Sequence, residues 1–194
     1  LSAKAQQPSK RPTIGFLGTN ASGFAPWVSA FVARMRELGW IDGRTIAIEY
    51  RWSEGRPERY AEIAVEFVRL NVDVIVTVGS AVPIVKQATS VIPIVFAVGI
   101  DPVGSGLVAS LAKPGGNVTG LSIQANELAG KRLELLREVM PELRRPILRS
   151  ALGERMPTIF STSDFVRGGA LMSYGPSYSD LFRHSADLVD KILR

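Results

Sequence analysis

Val72-Asp73-Val74-Ile75-Val76-Thr77-Val78-Gly79-Ser80-Ala81-Val82-Pro83 decides the fold: a β-branched run, apolar at nearly every position, that ends in Gly-Ser and enters a helix-compatible segment. A strand hydrophobic at successive rather than alternate positions is covered on both faces, the habit of parallel sheets in α/β proteins. Open sheets of that kind bind ligands beyond the carboxyl ends of their strands. Gly79 permits a tight exit, Ser80 is placed to cap the helix, and the N–H groups of Ala81 and Val82 would face the crevice as an anion-binding corner. A ligand carboxylate is the expected occupant. The same Gly-Ser connection also serves as plain loop chemistry, so the corner alone establishes only the fold.

Upstream of this run, Thr13 to Leu17 reads as a first strand and Gly18 to Gly23 as a flexible loop. A helix from about Ala25 to Leu38 follows, with Trp27, Phe31, Met35 and Leu38 at helical spacing, and Gly39 stops it. Thr45 to Trp52 alternates as a half-exposed strand. Pro57 starts a helix reaching about Leu70, with Tyr60, Ile63, Ala64, Phe67 and Val68 on its buried side. Downstream come a helix carrying Ile84, Val85 and Ala88, a strand from Ile94 to Ala97, and Asp101-Pro102 at that strand's carboxyl end. A short helix from Val103 to Leu111, a Lys113 to Asn117 turn and a strand from Val118 to Ser122 complete the series. Strand alternating with helix in this way means βαβ units with right-handed crossovers, hence a Rossmann-like parallel sheet flanked by helices.

Beyond Ser122 the alternation fails. One amphipathic helix spans about Glu127 to Met140 and is ended by Pro141; Met156 to Phe160 and Ala170 to Gly175 are strand-like. A last helix from about Ser179 to Leu193 sets Leu181, Phe182, Ala186, Val189 and Ile192 on one face.

Composition narrows the chemistry. With 46% hydrophobic and 21% charged residues, the 194-residue chain is an ordinary globular protein. Its net charge of +5 invites a nucleic-acid reading. The basic residues are interleaved with Glu along the helices, however, and the densest cluster, Arg144, Arg145, Arg149 and Arg155, lacks aromatic partners, so no nucleic acid is expected. There is no cysteine, which excludes disulfides, thiolate metal sites and cysteine nucleophiles together. No apolar run is long enough for a membrane span.

No catalytic set assembles. His184 is the only histidine and reads as a solvated helix residue; the glycines at 15, 18 and 23 match neither the dinucleotide fingerprint nor a phosphate-binding loop. No metal site and no cofactor are expected. What remains is a crevice floored by Thr19-Asn20, Ser80-Ala81 and Asp101. An Asp before Pro is expected to be extended, with its carboxylate free to meet an ammonium group or to cap the short helix from Val103 to Leu111.

Several strings carry a resemblance: Ile14-Gly15-Phe16-Leu17-Gly18, Gly39-Trp40-Ile41-Asp42-Gly43, Ile92-Pro93-Ile94-Val95-Phe96, Asp101-Pro102-Val103, Lys113-Pro114-Gly115-Gly116-Asn117-Val118-Thr119-Gly120 and Met172-Ser173-Tyr174-Gly175-Pro176. In these the chain resembles the ABC-transporter substrate-binding proteins of the tryptophan/tyrosine type, from about Arg11 to Arg145 and again from Ala151 to Arg194. The resemblance implies a type I periplasmic-binding-protein fold, in which two lobes joined by hinge strands close on a small ligand without chemistry. It implies an aromatic or other amino acid as ligand, the membrane permease of an importer as partner, and a periplasmic or otherwise extracytoplasmic location. The Ala3-Lys4-Ala5 tripeptide and the polar residues after it resemble the junction at which a signal peptide is removed.

On this resemblance, ligand contacts are expected at Thr19, Asn20 and Ala21 after the first strand, at Ser80 and Ala81 for the carboxylate, at Asp101 for the amine, and at Tyr174 for stacking or a hydroxyl. Lobe one is expected over residues 11–123 and 170–194, after a leader at 1–10. Residues 124–169 would be the hinge and a reduced second lobe, with a splice-like join at Arg144-Arg145-Pro146. Other occupants of such a fold are an effector-sensing domain of a transcription regulator and an α/β enzyme on a small substrate. The first calls for a helix-turn-helix, the second for an acid/base pair at the strand ends.

Overall fold

The structure is a computed structural model that describes residues 11–110, 112–123, 125–139, 159–160, 166 and 171–194. Five parallel strands, β1 (Thr13–Gly18), β2 (Ala47–Trp52), β3 (Val74–Val78), β4 (Ile94–Gly99) and β5 (Val118–Ser122), form one sheet in the order β2-β1-β3-β4-β5. They are connected through α1 (Ala21–Glu37), α2 (Glu58–Arg69) and α3 (Ala81–Ala88). Beyond β5 come α4 (Ala125–Val139), a parallel pair β6 (Ile159–Phe160) and β7 (Met172–Ser173), and α5 (Tyr178–Leu193).

The opening run behaves as its composition requires. Val74 and Val76 enter one core cluster, with Phe31 and Met35 of α1 and with Phe182, Ala186 and Val189 of α5. Ile75 between them enters the other, with Ile63 and Phe67 of α2 and with Val82 and Val85 of α3. All three β3 side chains are fully buried, and each contributes about 1.5–3 kcal/mol of transfer free energy. Thr77, also buried, donates its hydroxyl hydrogen to the Leu17 carbonyl at 3.1 Å, so this polar side chain carries no desolvation debt.

The last helix packs against α1, more than 140 residues away along the chain. Trp27 stacks on Phe182 with centroids 5.7 Å apart, and Tyr178 meets Trp27 edge-on at 5.1 Å. Polar ties follow the same seam: Arg34 Nε donates to Asp187 at 2.7 Å, Trp40 Nε1 donates to Asp190 at 2.7 Å, and Arg183 grips both Glu37 oxygens at 2.9 and 2.6 Å. Hydrogen bonds from Arg183 and then Arg34 hold the Glu37 carboxyl down at about 2.

Three expectations are corrected. Gly18 to Gly23 is not a flexible loop: Asn20 is extended (φ −153°, ψ 152°) and its Oδ1 accepts from Gly23 N at 2.7 Å, so α1 begins at Ala21. Val103 to Gly106 is a set of turns rather than a helix. Gly106 there is left-handed, with φ +70°, a conformation that breaks right-handed winding. The strand within Leu171 to Tyr174 pairs with β6 instead of joining the five-stranded sheet, while α5 does pack back on it. Residues 1–10 and the join at Arg144-Arg145-Pro146 lie outside the described residues.

Candidate ligand-binding crevice

Because all five strands are parallel, every corner that follows one opens on the same edge. The sheet grows outward in both directions from the β1–β3 pair, which makes that pair the topological switch point, the place where sheets of this kind bind ligands. Thr19 and Asn20 follow β1, Gly79 and Ser80 follow β3, and Asp101 follows β4 next door. Neighbouring strands stand about 4.8 Å apart, so the three corners span roughly 10 Å along the edge. The chain leaves the five-stranded sheet at the same edge, where Ile123 N donates to Gly99 O at 3.1 Å, and α5 re-enters there beside Trp27 in the second turn of α1.

The β1 corner is tied to its neighbours by hydrogen bonds. The Thr19 carbonyl accepts from Glu54 N at 2.7 Å and its hydroxyl lies 3.4 Å from the Tyr60 hydroxyl. Asn20 Oδ1 takes Gly23 N and also the Ser22 hydroxyl, at 3.2 Å. Gly18 is required by close approach, since a Cβ there would run into the Trp52 ring.

The β3 corner is different. Gly79 is left-handed at φ +55° and its N–H donates to Val98 O at 2.9 Å, so the exit expected of it is present. Ser80 sits at the start of α3 in helical geometry (φ −68°, ψ −15°) and makes no capping bond, which corrects the expectation that it caps the helix. A capping side chain needs an extended backbone to fold back on the first N–H groups, and Ser80 lacks it. The N–H of Val82 is also not free: it donates to Gly79 O at 3.3 Å. Ser80 is exposed on the edge, whereas Ala81 is buried beneath it.

Asp101 is left-handed (φ +44°), not extended. Its Oδ1 accepts from Gly104 N at 2.9 Å, and its carbonyl accepts from Ser105 N at 3.0 Å and from the Ser105 hydroxyl at 2.8 Å. Proline disfavours right-handed helical geometry in the residue before it, and Asp is one of the few residues that enters the left-handed region by bonding its own backbone. Asp101 was expected to cap a short helix from Val103; no helix forms there, and its Oδ1 closes a turn on Gly104 N instead. Lys86 of α3 steadies the far end of this loop, donating to Leu107 O at 3.0 Å.

Tyr174 is 39% exposed beyond β7, and its carbonyl accepts from Arg132 Nε of α4 at 2.8 Å. Two features of the edge were not singled out from the sequence. One is the turn after β2, in which Glu54 and Gly55 are both left-handed (φ 52° and 74°) and Arg56 N returns to Ser53 O at 3.0 Å; the Glu-Gly pair behind an alternating strand was its signal. The other is Tyr60, expected as a core residue, whose hydroxyl reaches the β1 corner. Among the described residues no group of His, Asp and Glu is arranged to hold a metal ion, and no helix is long and apolar enough to cross a membrane.

Residues 23–148 match the family of ABC transporter substrate binding proteins. A tyrosine-binding protein of Clostridioides difficile is 33% identical over 116 residues, 59% of this chain; the chain spans about one third of that relative's length (33%). Among solved structures, a conserved domain protein from Vibrio cholerae superposes with a TM-score of 0.80 at 21% identity, covering 95% of this chain and 85% of the other. An ABC domain in complex with L-Trp from Streptococcus pneumoniae superposes with a TM-score of 0.74 at 19% identity over the same shares, 95% and 85%. A ligand-free, open substrate binding protein with adhesive properties from Clostridium difficile gives 0.57 at 22% identity, over 84% of this chain and 56% of that one. At these identities the superpositions speak for the fold, a parallel sheet flanked by helices of the periplasmic-binding-protein kind. The family match covers most of the chain and the fold agrees with it: this chain belongs to the ABC transporter substrate-binding proteins.

Proposed function

We propose that the chain captures a small amino-acid-type solute, with an aromatic side chain, at the edge formed by the β1, β3 and β4 corners, and that it does so as the extracytoplasmic binding component of an importer, handing the solute to a membrane permease without transforming it. The observation that carries the reading is the placement of Thr19 and Asn20, Ser80 and Ala81, and Asp101 on one edge of an all-parallel sheet, at and beside its switch point. Supporting it are a relative named for tyrosine binding and a similar fold solved with L-Trp. In this reading residues 11–123 with α5 form lobe one, and α4, β6 and β7 belong to what faces it. The Ser80 hydroxyl and the Ala81 N–H meet the solute carboxylate, the Asp101 oxygen not used by Gly104 meets its ammonium group, and Ala21 and Asn20 border the β1 side. Tyr174 contributes its ring at the returning connection.

Calorimetric titration with L-tyrosine, L-tryptophan and tyramine tests this. Either amino acid is expected to bind while tyramine, lacking the carboxylate, binds at least about tenfold more weakly, the equivalent of one lost hydrogen bond to a charged group. Asp101→Asn keeps the acceptor for Gly104 but removes the charge, and is expected to weaken the amino acids by a similar factor. Equal affinity for tyrosine and tyramine would refute the carboxylate assignment.

A further inference from the structure

Arg132 is the residue whose bonding the reading above leaves unexplained. It lies in the second turn of α4, the first helix after the chain leaves the five-stranded sheet, and its Nε donates across 42 residues to the Tyr174 carbonyl at 2.8 Å. Tyr174 directly follows β7, three residues before the Ser177 N-cap of α5. A helical side chain leans toward the helix N-terminus, which directs the guanidinium back toward the edge where the chain departed. The hydrogen bond therefore joins the outgoing and returning connections to each other. The Nη2 of the same guanidinium is buried and has no hydrogen-bond partner among the described residues. Its sequence neighbour does not share that state, since Lys131 pairs with Glu134 at 3.0 Å.

A buried charged donor without an acceptor is unfavourable, and a neutral side chain of similar length would serve the single bond to Tyr174 without that penalty. The planar fork of arginine offers two donors held in one geometry, so a guanidinium anchored through Nε presents Nη2 in a fixed direction. From this we infer that Arg132 is a positioning residue that locks α4 to the end of β7, so that both connections turn as one body. Rotation is then confined to the short connections on the five-stranded-sheet side, Ile123 on the way out and Gly175 to Ser177 on the way back. The inference rests on the solute-capture reading for its purpose, but the lock itself can be measured without any solute.

Hydrogen exchange of the solute-free chain is the test. In Arg132→Gln, amides of residues 125–139 and of 172–178 are expected to exchange faster together, by about tenfold, while those of β1 and β3 keep their protection. Acceleration in α4 alone, or in neither segment, would overturn the lock. Should Arg132→Gln lose the protection of β1 and β3, Arg132→Lys decides instead: it keeps charge and one donor, and is expected to give the same two-segment pattern at smaller amplitude. No change at 172–178 in the lysine variant overturns the lock equally. Saturating the unaltered chain with L-tyrosine is expected to slow both segments together; tyrosine bound with neither slowed would sever the lock from capture. Failure to bind tyrosine at all counts against the proposed solute, and the solute-free comparison still decides Arg132.

Discussion

The corners after β1 and β3 are neighbours at the switch point, each leads from a parallel strand into a helix, and they are built on opposite principles. After β1 the chain is extended at Asn20, whose side chain closes on Gly23 N and the Ser22 hydroxyl. After β3 the turn is made by the backbone itself, through left-handed Gly79, and the Ser80 side chain takes no part. The first corner commits Asn20 Oδ1 to its own helix and the Thr19 carbonyl to Glu54 N; the second leaves a hydroxyl standing on the edge. A crevice needs both kinds, one wall fixed by internal bonding and another with donors left for a solute. Ser80 is therefore a better candidate for direct contact than Asn20, even though the two occupy equivalent places in the βαβ pattern.

The comparison breaks most visibly at Gly79. A Cβ there meets nothing within 4 Å, so substitution tests conformation and not space. An L-residue held at positive φ costs about 1–2 kcal/mol, with β-branched residues at the upper end. Gly79→Val is accordingly expected to lower the unfolding free energy measured in urea by that amount, and Gly79→Ala by less. If Gly79→Val left stability unchanged, the β3 corner would have another way to turn, and the contrast with β1 would disappear.

Asn20 carries a smaller effect of a different origin. Asn20→Ala removes the cap of α1 and is expected to destabilise by about 1 kcal/mol, whereas Asn20→Asp keeps the acceptor and stays close to the original. Solute affinity is the sharper reading: with its Oδ1 committed to the helix, Asn20→Asp is expected to leave tyrosine binding nearly unchanged. A large loss of affinity there would move Asn20 from the wall into direct contact with the solute.

What was legible in the sequence followed from periodicity, and what was not followed from local competition among polar groups. The β3 run, the five parallel strands and the apolar face of α5 are legible because burial on two faces, or on one stripe, leaves few sequence patterns. Phe182 and Val189 stand out at helical spacing, and both are fully buried. The corners are harder. Ser80 and Asn20 are both favoured capping residues, and only the backbone angles decide which of them caps. Asp101-Pro102 pointed to an extended residue because right-handed geometry is disfavoured before proline, but the left-handed alternative depends on the Gly104 N–H three residues on, a bond that composition does not announce. Arg132 and Tyr174 are beyond local reading altogether, because their bond spans 42 residues and leaves no periodic trace.

Ser80 is where fold and function separate most cleanly, and it carries the smallest expected change in stability. Its side chain makes no capping bond and is exposed, so Ser80→Ala removes a hydroxyl that the free protein does not use. The unfolding free energy measured in urea is expected to move by less than about 0.5 kcal/mol, the range of surface substitutions away from special features. In the bound state the same hydroxyl is assigned to the solute carboxylate, and its loss is expected to weaken L-tyrosine about tenfold while leaving tyramine unaffected. A large drop in stability would show that Ser80 caps α3 after all and so resembles Asn20. Unchanged stability together with unchanged affinity would remove the hydroxyl from the crevice and leave backbone N–H groups such as that of Ala81 to meet a carboxylate.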